Sequence, residues 1–305
     1  VPGYRDLRTA IAEKLRKENH LNYSWDQILV SAGAKHSLAN ALMSVVDKDD
    51  EVIVPAPYWV SYIEQVKLAE GRSVIVQTSL DNNFKITPSQ LRTAITNKTK
   101  ALILCSPSNP TGSIYTREEL EELAAVIQQS KQEMYILSDE IYEYINFNKE
   151  HQSIAQFADL KDQTIIINGV SKGFAMTGWR IGYIAAPAEI VRACAKLQGQ
   201  VTSGASSISQ RAALAAITSG KDFTKEMVQA FEERRNLVLN GLSRINGIKT
   251  YTPQGAFYLF PDISYYFGKS TGKTHIRNDK DLCFYLLEEA NVALVPGSAF
   301  GSTNN

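Results

Sequence analysis

The sequence predicts an α/β fold in which a mostly parallel, mixed seven-stranded sheet is flanked by helices and followed by a smaller α+β domain. Two observations support this prediction. Short runs of apolar and β-branched residues alternate with helical patterns along most of the chain, which is typical of successive βα units. Several of these runs are apolar at successive positions, as expected for strands that helices cover on both faces.

The predicted elements follow one another in regular order. Strands are predicted at 27–31, 51–54, 73–77, 101–105, 134–138, 164–168 and 180–185, and helices at 5–18, 34–46, 57–69, 87–95 and 116–129. The last of these helices starts with a capping box formed by Thr116 and Glu119. The glycine-rich link 169–179 is too short for a helical crossover, so strand 180–185 is expected to run antiparallel to a neighbour.

The pattern changes in the last part of the chain. Helices are predicted near 187–199, 206–219 and 222–245, followed by strands at 248–251, 256–260 and 292–295 and a helix at 279–290. The polar stretch 264–278 is expected to be a surface loop. We therefore predict a large domain at 1–225 and a small C-terminal domain at 226–305.

Composition excludes several classes of protein. The 305 residues include 32 Lys and Arg and 32 Asp and Glu, so a generally basic surface for nucleic acid or anionic lipid is not expected. No apolar run is long enough to predict a membrane span, and four histidines show no ligand spacing, so no metal site is expected. Three widely separated cysteines, Cys105, Cys194 and Cys283, favour a reducing compartment, and we expect a cytoplasmic protein.

Candidate binding residues follow several of the predicted strands, where ligands collect in open α/β sheets. Gly33, Ala34 and Lys35 open a helix whose amides could bind an anion, although glycine is common at such turns. Trp59 could stack on a flat ring or simply pack in the core. Asn109 lies in a loop that prolines and a glycine hold tightly, which a turn alone would also explain.

Charged residues follow two later strands. Asp139 ends an apolar strand, where a carboxylate is costly to bury without a cation, although it could instead cap the next helix. Tyr142 is spaced to face the same side. Lys172 and Arg180 lie in the predicted crevice without a nearby acidic residue in sequence, which indicates that a ligand supplies the negative charge.

Together these residue types match the needs of pyridoxal phosphate. A buried carboxylate keeps the ring nitrogen of this cofactor protonated, and a lysine amine forms a Schiff base with its aldehyde. Amides and a cation bind its phosphate, and a phenol and an amide can donate to its ring oxygen. The sequence therefore indicates a site for this cofactor.

Three motifs resemble those of the class I and II aminotransferases, pyridoxal-phosphate enzymes of fold type I. They are S-P-S-N-P-T-G at 106–112, S-D-E-I-Y-E at 138–143 and S-K-G-F-A-M-T-G-W-R-I-G-Y at 171–183. The run P-Y-W-V-S-Y at 57–62 and the Gly33–Lys35 turn resemble the bacterial aspartate aminotransferase branch, some of whose members also use prephenate.

The resemblance implies a role for each candidate residue. Lys172 would be the Schiff-base lysine and proton carrier, and Asp139 would pair with the ring nitrogen. The remaining roles would be hydrogen bonding to the ring oxygen by Tyr142 and Asn109, stacking by Trp59, and phosphate binding by Arg180 with the amides of Gly33, Ala34 and Lys35. Asn109 would also contact the substrate carboxylate, and the Lys35 side chain would meet the distal carboxylate of an acidic substrate.

Two departures from the family pattern stand out. Many relatives carry a phosphate-binding hydroxyl three residues before the lysine, where this chain has Gly169, and Ser171 could compensate. Relatives also continue beyond a segment like 295–301, where an arginine binds the substrate α-carboxylate, and begin upstream of Val1. We therefore expect the chain to be the middle of a longer protein, with an incomplete small domain, and impaired activity if nothing more exists.

The resemblance favours an aminotransferase that exchanges the amino group of aspartate, or a related acidic amino acid, with a 2-oxo acid such as 2-oxoglutarate, working as a homodimer. An aromatic, prephenate or broad-range aminotransferase or a lyase on the same scaffold remains an alternative. A regulatory module that borrowed the fold is less favoured, because no basic helix-turn-helix region is visible. An unrelated phosphate-binding enzyme is disfavoured by the lack of a Walker or dinucleotide motif.

Overall fold

The computed structural model describes residues 1–130, 132–148, 150–272 and 274–302. A seven-stranded sheet runs through its centre in the order β1-β7-β6-β5-β4-β2-β3. Its strands are β1 (Ile28–Ser31), β2 (Glu51–Ala56), β3 (Arg72–Gln77), β4 (Thr99–Cys105), β5 (Tyr135–Asp139), β6 (Thr164–Gly169) and β7 (Gly182–Ala185). Every strand pair is parallel except those of β7, which runs antiparallel to both β1 and β6. The predicted mixed sheet is thus confirmed.

The first seven helices of the described chain cover both faces of this sheet, and the last two follow it in sequence. They are α1 (Arg5–Glu18), α2 (Ala34–Val45), α3 (Ser61–Leu68), α4 (Pro88–Ala94), α5 (Arg117–Gln129), α6 (Ala188–Val201), α7 (Ser207–Ser219), α8 (Lys225–Leu242) and α9 (Asp279–Ala290). The capping box at α5 forms as predicted: the Glu119 amide donates to Thr116 Oγ1 at 3.2 Å, and the Thr116 amide donates to Glu119 Oε2 at 2.8 Å. Helix α3 begins later than predicted, because the Tyr58 amide donates to the Phe300 carbonyl instead of entering a helix.

The apolar core is divided by the sheet. Helices α2, α3 and α6 pack on one face, whereas α1 with α7, and α4 with α5, pack on the other. All residues of β1, β6 and β7 are buried, which explains their runs of successive apolar residues. Because helices close both faces, the open carboxyl edge of the parallel strands is left as the place for a ligand.

The last part of the chain differs from the prediction. The strands predicted at 248–251, 256–260 and 292–295 are wrong. Among the described residues of these ranges, only Lys249 forms a bridge, with Asp262, and Gly255, just before the second range, bridges Asn146. Residues 264–278, predicted to be a loop, contain a hairpin of β8 (Lys269–Thr271) and β9 (Thr274–Ile276). The physical reason is that a strand needs a partner edge, and 256–260 packs its aromatic side chains on neighbouring rings instead.

Within the described ranges, no helix combines the length and the apolar character that a membrane crossing requires.

Candidate active site

A cavity of about 190 Å³ opens at the carboxyl edge of the sheet. Strands β4, β5 and β6 are parallel neighbours, so the residues that follow them meet at this edge. The lining includes eight of the nine residues predicted from the sequence: Ala34, Lys35, Trp59, Asn109, Asp139, Tyr142, Lys172 and Arg180. The ninth, Gly33, is the N-cap of α2 and lies against Arg180. The structure therefore brings the whole predicted set together.

The start of α2 and the Arg180 side chain form one anion-binding corner. Gly33 has φ +92°, and a Cβ atom there would overlap the Arg180 guanidinium. A Cβ atom on Gly182 would overlap the Ala34 amide nitrogen. These two glycines therefore allow the β7 segment and the helix start to approach closely. Because helix amides and a guanidinium face the same corner, a phosphate group is the ligand that it fits.

Gly169 occupies a position where no side chain fits. It lies opposite Gly182 in the β6–β7 pair, and a Cβ atom on it would lie 2.6 Å from the Ile181 carbonyl oxygen and 2.9 Å from Gly182 Cα. A hydroxyl residue is therefore excluded here by close strand packing. Ser171, which also lines the cavity, carries a hydroxyl two residues further along the chain.

We expect Gly169→Ser to lower the free energy of unfolding by about 2 kcal/mol, because overpacking a closed backbone contact costs about 1–3 kcal/mol. Urea unfolding of the purified protein measures this change. The matched control is Gly178→Ser, since a Cβ atom on Gly178 meets nothing within 4 Å. Equal stability of the two variants would contradict the packing argument.

Asp139 is a buried carboxylate without a cationic partner. Its side chain accepts a hydrogen bond from the Tyr62 phenol at 2.7 Å through Oδ2 and from the Ile141 amide at 3.3 Å through Oδ1. No Lys, Arg or His nitrogen in the described part of the chain lies within 4.0 Å of it. Burial raises the pKa of Asp139 to about 6. A ligand with a protonated nitrogen would compensate this carboxylate.

Two phenols and one amide converge on another wall of the cavity. The hydroxyl oxygens of Tyr142 and Tyr258 lie 2.7 Å apart, and Asn109 Nδ2 lies 3.5 Å from each of them. Burial raises the pKa of Tyr142 far above its ordinary value, so its hydroxyl stays protonated and able to donate. This arrangement offers hydrogen-bond donors to an oxygen atom on a ligand.

Lys172 is partly buried beside aromatic rings. Its Nζ atom lies 5.6 Å from the ring centre of Phe257 and 6.0 Å from that of Tyr142. Among the residues that the structure describes, Lys172 makes no ion pair. Burial, and then the positive charge of Arg180, lower the pKa of the Lys172 amine. A lowered pKa makes more of the unprotonated, nucleophilic amine available at neutral pH.

Trp59 and Lys35 lie together at the mouth of the cavity. Lys35 is exposed, and its Nζ atom lies 4.8 Å from the ring centre of Trp59. The Trp59 ring meets the Tyr62 ring edge-on at 5.5 Å. Within the described ranges Lys35 has no acidic partner, so its charge is available to an anionic ligand.

Sequence reasoning missed several residues of this cavity. The lining residues without a predicted role are Tyr62, Cys105, Ile141, Thr177 and Tyr258, and Ser171, predicted as a possible replacement for the missing hydroxyl, also lines the cavity. Tyr62 ends the motif at 57–62 and follows Trp59 by three residues, which is the spacing of one helix face. Tyr258 gave no such signal, because it reaches the cavity from a segment distant in sequence.

The charged groups of this cavity can be compared with those of pyridoxal phosphate. Lys35, Lys172 and Arg180 have no ion-pair partner in the described chain. They line the same cavity as the buried Asp139 carboxylate, which has no cationic partner there either. A molecule with an anionic phosphate, an aldehyde and a protonated ring nitrogen compensates both signs. The donor set therefore fits this cofactor, and the sheet and site together have the arrangement of fold type I proteins that bind pyridoxal phosphate.

Comparison with known proteins defines the family. The model of "Aminotransferase class I and II" matches residues 1–305, and the chain belongs to that family. A bifunctional aspartate aminotransferase and glutamate/aspartate-prephenate aminotransferase from Petunia hybrida is 49% identical, over 98% of this chain and 63% of its own length. The aspartate aminotransferase of Bacillus sp. (strain YM-2) is 48% identical, over 98% of this chain and 76% of its own.

A solved structure supports the same assignment. The aspartate aminotransferase from Rhizobium meliloti superimposes with a TM-score of 0.96 at 43% identity, over 99% of this chain and 76% of that chain. This chain thus spans less than two thirds of the Petunia relative and about three quarters of the bacterial ones.

Proposed function

We propose that the protein is an aminotransferase that moves the amino group of aspartate, or a related acidic amino acid, to a 2-oxo acid such as 2-oxoglutarate. The observation that carries this proposal is the placement of the Lys172 amine in one cavity with the anion-binding corner of α2 and with the Asp139 carboxylate, which has no cationic partner among the described residues. The names of the aspartate aminotransferase relatives support the choice of substrate.

Pyridoxal phosphate, when bound, supplies an aldehyde that accepts the amino group and a ring that withdraws electrons. The residues of this chain would provide the rest. Lys172 would hold the aldehyde carbon and then move a proton to or from the substrate α-carbon. Asp139 would keep the ring nitrogen protonated, since a buried carboxylate favours a cation beside it.

Other residues would orient the cofactor. Donors from Tyr142 and Asn109 would bind the ring oxygen, and Trp59 would pack on the ring face. Asn109 would also contact the substrate carboxylate. The phosphate would be bound by Arg180 and by the backbone amides of Ala34 and Lys35. The Gly33 amide, predicted to join them, instead donates to the Ser31 carbonyl at 2.8 Å.

The Lys35 side chain would select acidic substrates. Its ammonium group has no acidic partner among the described residues, and it lies over Trp59 at the cavity mouth. A second carboxylate on the substrate would pair with it. Prephenate also carries two carboxylates and is a second candidate amino acceptor, supported by the name of the Petunia relative.

A substrate panel tests the proposed reaction. The protein loaded with pyridoxal phosphate is mixed with aspartate, glutamate, alanine or phenylalanine, and the single-turnover change in cofactor absorption is followed. We expect aspartate and glutamate to react at least about tenfold faster than the other two, since one charge-assisted hydrogen bond is worth about this factor. Faster reaction of phenylalanine would favour an aromatic aminotransferase instead.

We expect Lys35→Ala to raise KM for aspartate by about tenfold while changing KM for alanine little, because only the side chain is lost and its backbone amide stays. Steady-state kinetics with both amino acids measure this effect. Lys67→Ala is the control, since Lys67 lies on α3 as an exposed partner of Glu64. An equal rise in KM for alanine would count against a role in substrate selection.

Three features of the whole protein are also proposed. The seven-stranded sheet uses residues up to Ala185, and α8 has no buried residues, which supports a division into domains 1–225 and 226–305. The family resemblance supports a homodimer, and the free cysteines support a cytoplasmic location. Sedimentation of the full-length protein would test the dimer.

A further inference from the structure

Tyr62 lies beneath the cavity on the first turn of α3. It is only 2% exposed, and its hydroxyl group donates to Asp139 Oδ2 at 2.7 Å. Its ring meets the edge of the Trp59 ring at 5.5 Å. The Tyr62 side chain thus contacts both Trp59 at the mouth of the cavity and Asp139 at its floor.

The direction of this hydrogen bond follows from chemistry. An ionised carboxylate can only accept, so the phenol must donate. Burial raises the pKa of Tyr62 well above its ordinary value, so the phenol keeps its proton at every pH relevant to the enzyme. A hydrogen bond to the charged form favours that form and fixes the position of the oxygen that accepts it.

Other ionisable groups face Asp139 from the neighbouring elements. Cys105 ends the adjacent strand β4, but burial raises its pKa to about 12, so its thiol is neutral. Glu140 follows Asp139 directly and raises its pKa, while its own oxygens accept hydrogen bonds from two serines and pair with His151. The phenol of Tyr142 and the amine of Lys172 line the same cavity.

Of the described side chains, Tyr62 alone donates a hydrogen bond to Asp139. The Ile141 amide contributes a longer backbone contact to the other oxygen. Without the phenol, only the Ile141 amide would stabilise the ionised carboxylate. Burial and the negative charge of Glu140 would both still oppose its ionisation.

We propose that Tyr62 is a positioning residue that holds the Asp139 carboxylate ionised and oriented toward the ring nitrogen of pyridoxal phosphate. The proposal rests on the proposed function, because that function places the cofactor ring against Asp139. In this role Tyr62 acts through Asp139, to which its hydroxyl group donates.

The first test uses the apoenzyme, so that it does not depend on the reaction. The infrared band of the protonated Asp139 carboxyl is followed against pH in the wild type, Tyr62→Phe and Tyr58→Phe, with Asp139→Asn to assign the band. We expect a midpoint at about pH 6 in the wild type. Loss of the hydrogen bond should raise it by about one pH unit in Tyr62→Phe. An unchanged midpoint in Tyr62→Phe overturns the proposal.

Tyr58→Phe is the matched control. Tyr58 is also buried and lies in the segment that precedes α3, but no hydrogen bond joins its hydroxyl to Asp139. We expect its midpoint to equal that of the wild type. A shift in this variant as large as that in Tyr62→Phe would also overturn the proposal, because any loss of a hydroxyl would then produce it.

The second test measures the affinity of the apoenzyme for pyridoxal phosphate by absorption titration. If only ionised Asp139 supports binding, Tyr62→Phe should bind about fivefold more weakly than the wild type at pH 6.0 and equally well at pH 8.5. The same loss at both pH values would indicate a structural defect and overturn the proposal. Failure of the proposed function would be seen separately, as a wild-type protein that does not bind the cofactor through Lys172.

Discussion

Lys172→Ala is expected to reduce transamination by roughly 10⁴-fold or more, since covalent capture and proton transfer are both lost with one side chain. The amine lies in the cavity beside Tyr142 and Phe257 and has no acidic partner in the described ranges. Its lowered pKa, caused first by burial and then by Arg180, indicates a group prepared to act as a nucleophile.

Two measurements check this expectation. Steady-state assays with aspartate and 2-oxoglutarate give the loss in kcat/KM, and absorption spectroscopy shows whether the added cofactor becomes covalently attached. Lys67→Ala, which removes an exposed lysine of α3, should retain both properties. Normal turnover and covalent attachment in Lys172→Ala would refute the assigned role and, with it, the proposed mechanism.

Asp139→Asn is expected to lower kcat/KM by roughly 10³-fold, because a neutral amide no longer favours a protonated ring nitrogen. The same change should stabilise the apoenzyme at neutral pH. The wild-type carboxylate is 5% exposed and lacks a cationic partner in the described chain, so its ionised form is costly without the cofactor. If Asp139→Asn lowers kcat/KM and also raises the stability of the apoenzyme, the carboxylate serves ligand binding at a cost in stability.

The sign of the pH dependence follows from the raised pKa. Asp139 has a pKa of about 6 in the folded protein, against an ordinary value of 3.8. The folded state therefore holds the proton more tightly, and this group lowers the stability of the apoenzyme as pH rises between these values. Above pH 6 the full cost, of up to roughly 3 kcal/mol, is present.

Urea unfolding of the wild-type and Asp139→Asn apoenzymes at pH 4 and pH 8 measures this cost. The variant should be more stable than the wild type at pH 8, with a smaller difference at pH 4, where the carboxyl is protonated in the folded state and only partly ionised in the unfolded chain. Pyridoxal phosphate should remove the advantage by stabilising the wild type. A variant that is less stable at pH 8 would show that burial of this charge is not costly.

Much of the fold could be predicted because its signals are local. Every predicted strand of the central sheet is present to within two residues at each end, and helices α1 and α9 have the predicted bounds. The capping box of Thr116 and the short link before β7 act over a few residues, so they can be identified from spacing alone. The strands predicted at 248–251, 256–260 and 292–295 did not form, because an apolar run does not show whether a partner edge is available.

The site could be predicted in composition but not in geometry. Residues that follow strands are ordered by the sheet, so Asn109, Asp139 and Lys172 converge as expected. Tyr258 could not be placed, because its contact with Tyr142 joins segments separated by 116 positions. The close contact of Gly169 with Ile181 and Gly182, which leaves no room for a hydroxyl residue, likewise depends on the pairing of β6 with β7.

The sequence by itself determined the succession of strands and helices in the central sheet, the reversal of β7 and nine of the residues at the carboxyl edge of the sheet. Only the tertiary structure decided that Asp139 is buried without a described cationic partner and is bound by the Tyr62 phenol. Periodicity and capping depend on neighbours in the chain, and they can be read directly from the sequence. The charge state of a carboxylate depends on solvent exposure and on donors from other elements, and these exist only after the chain has packed.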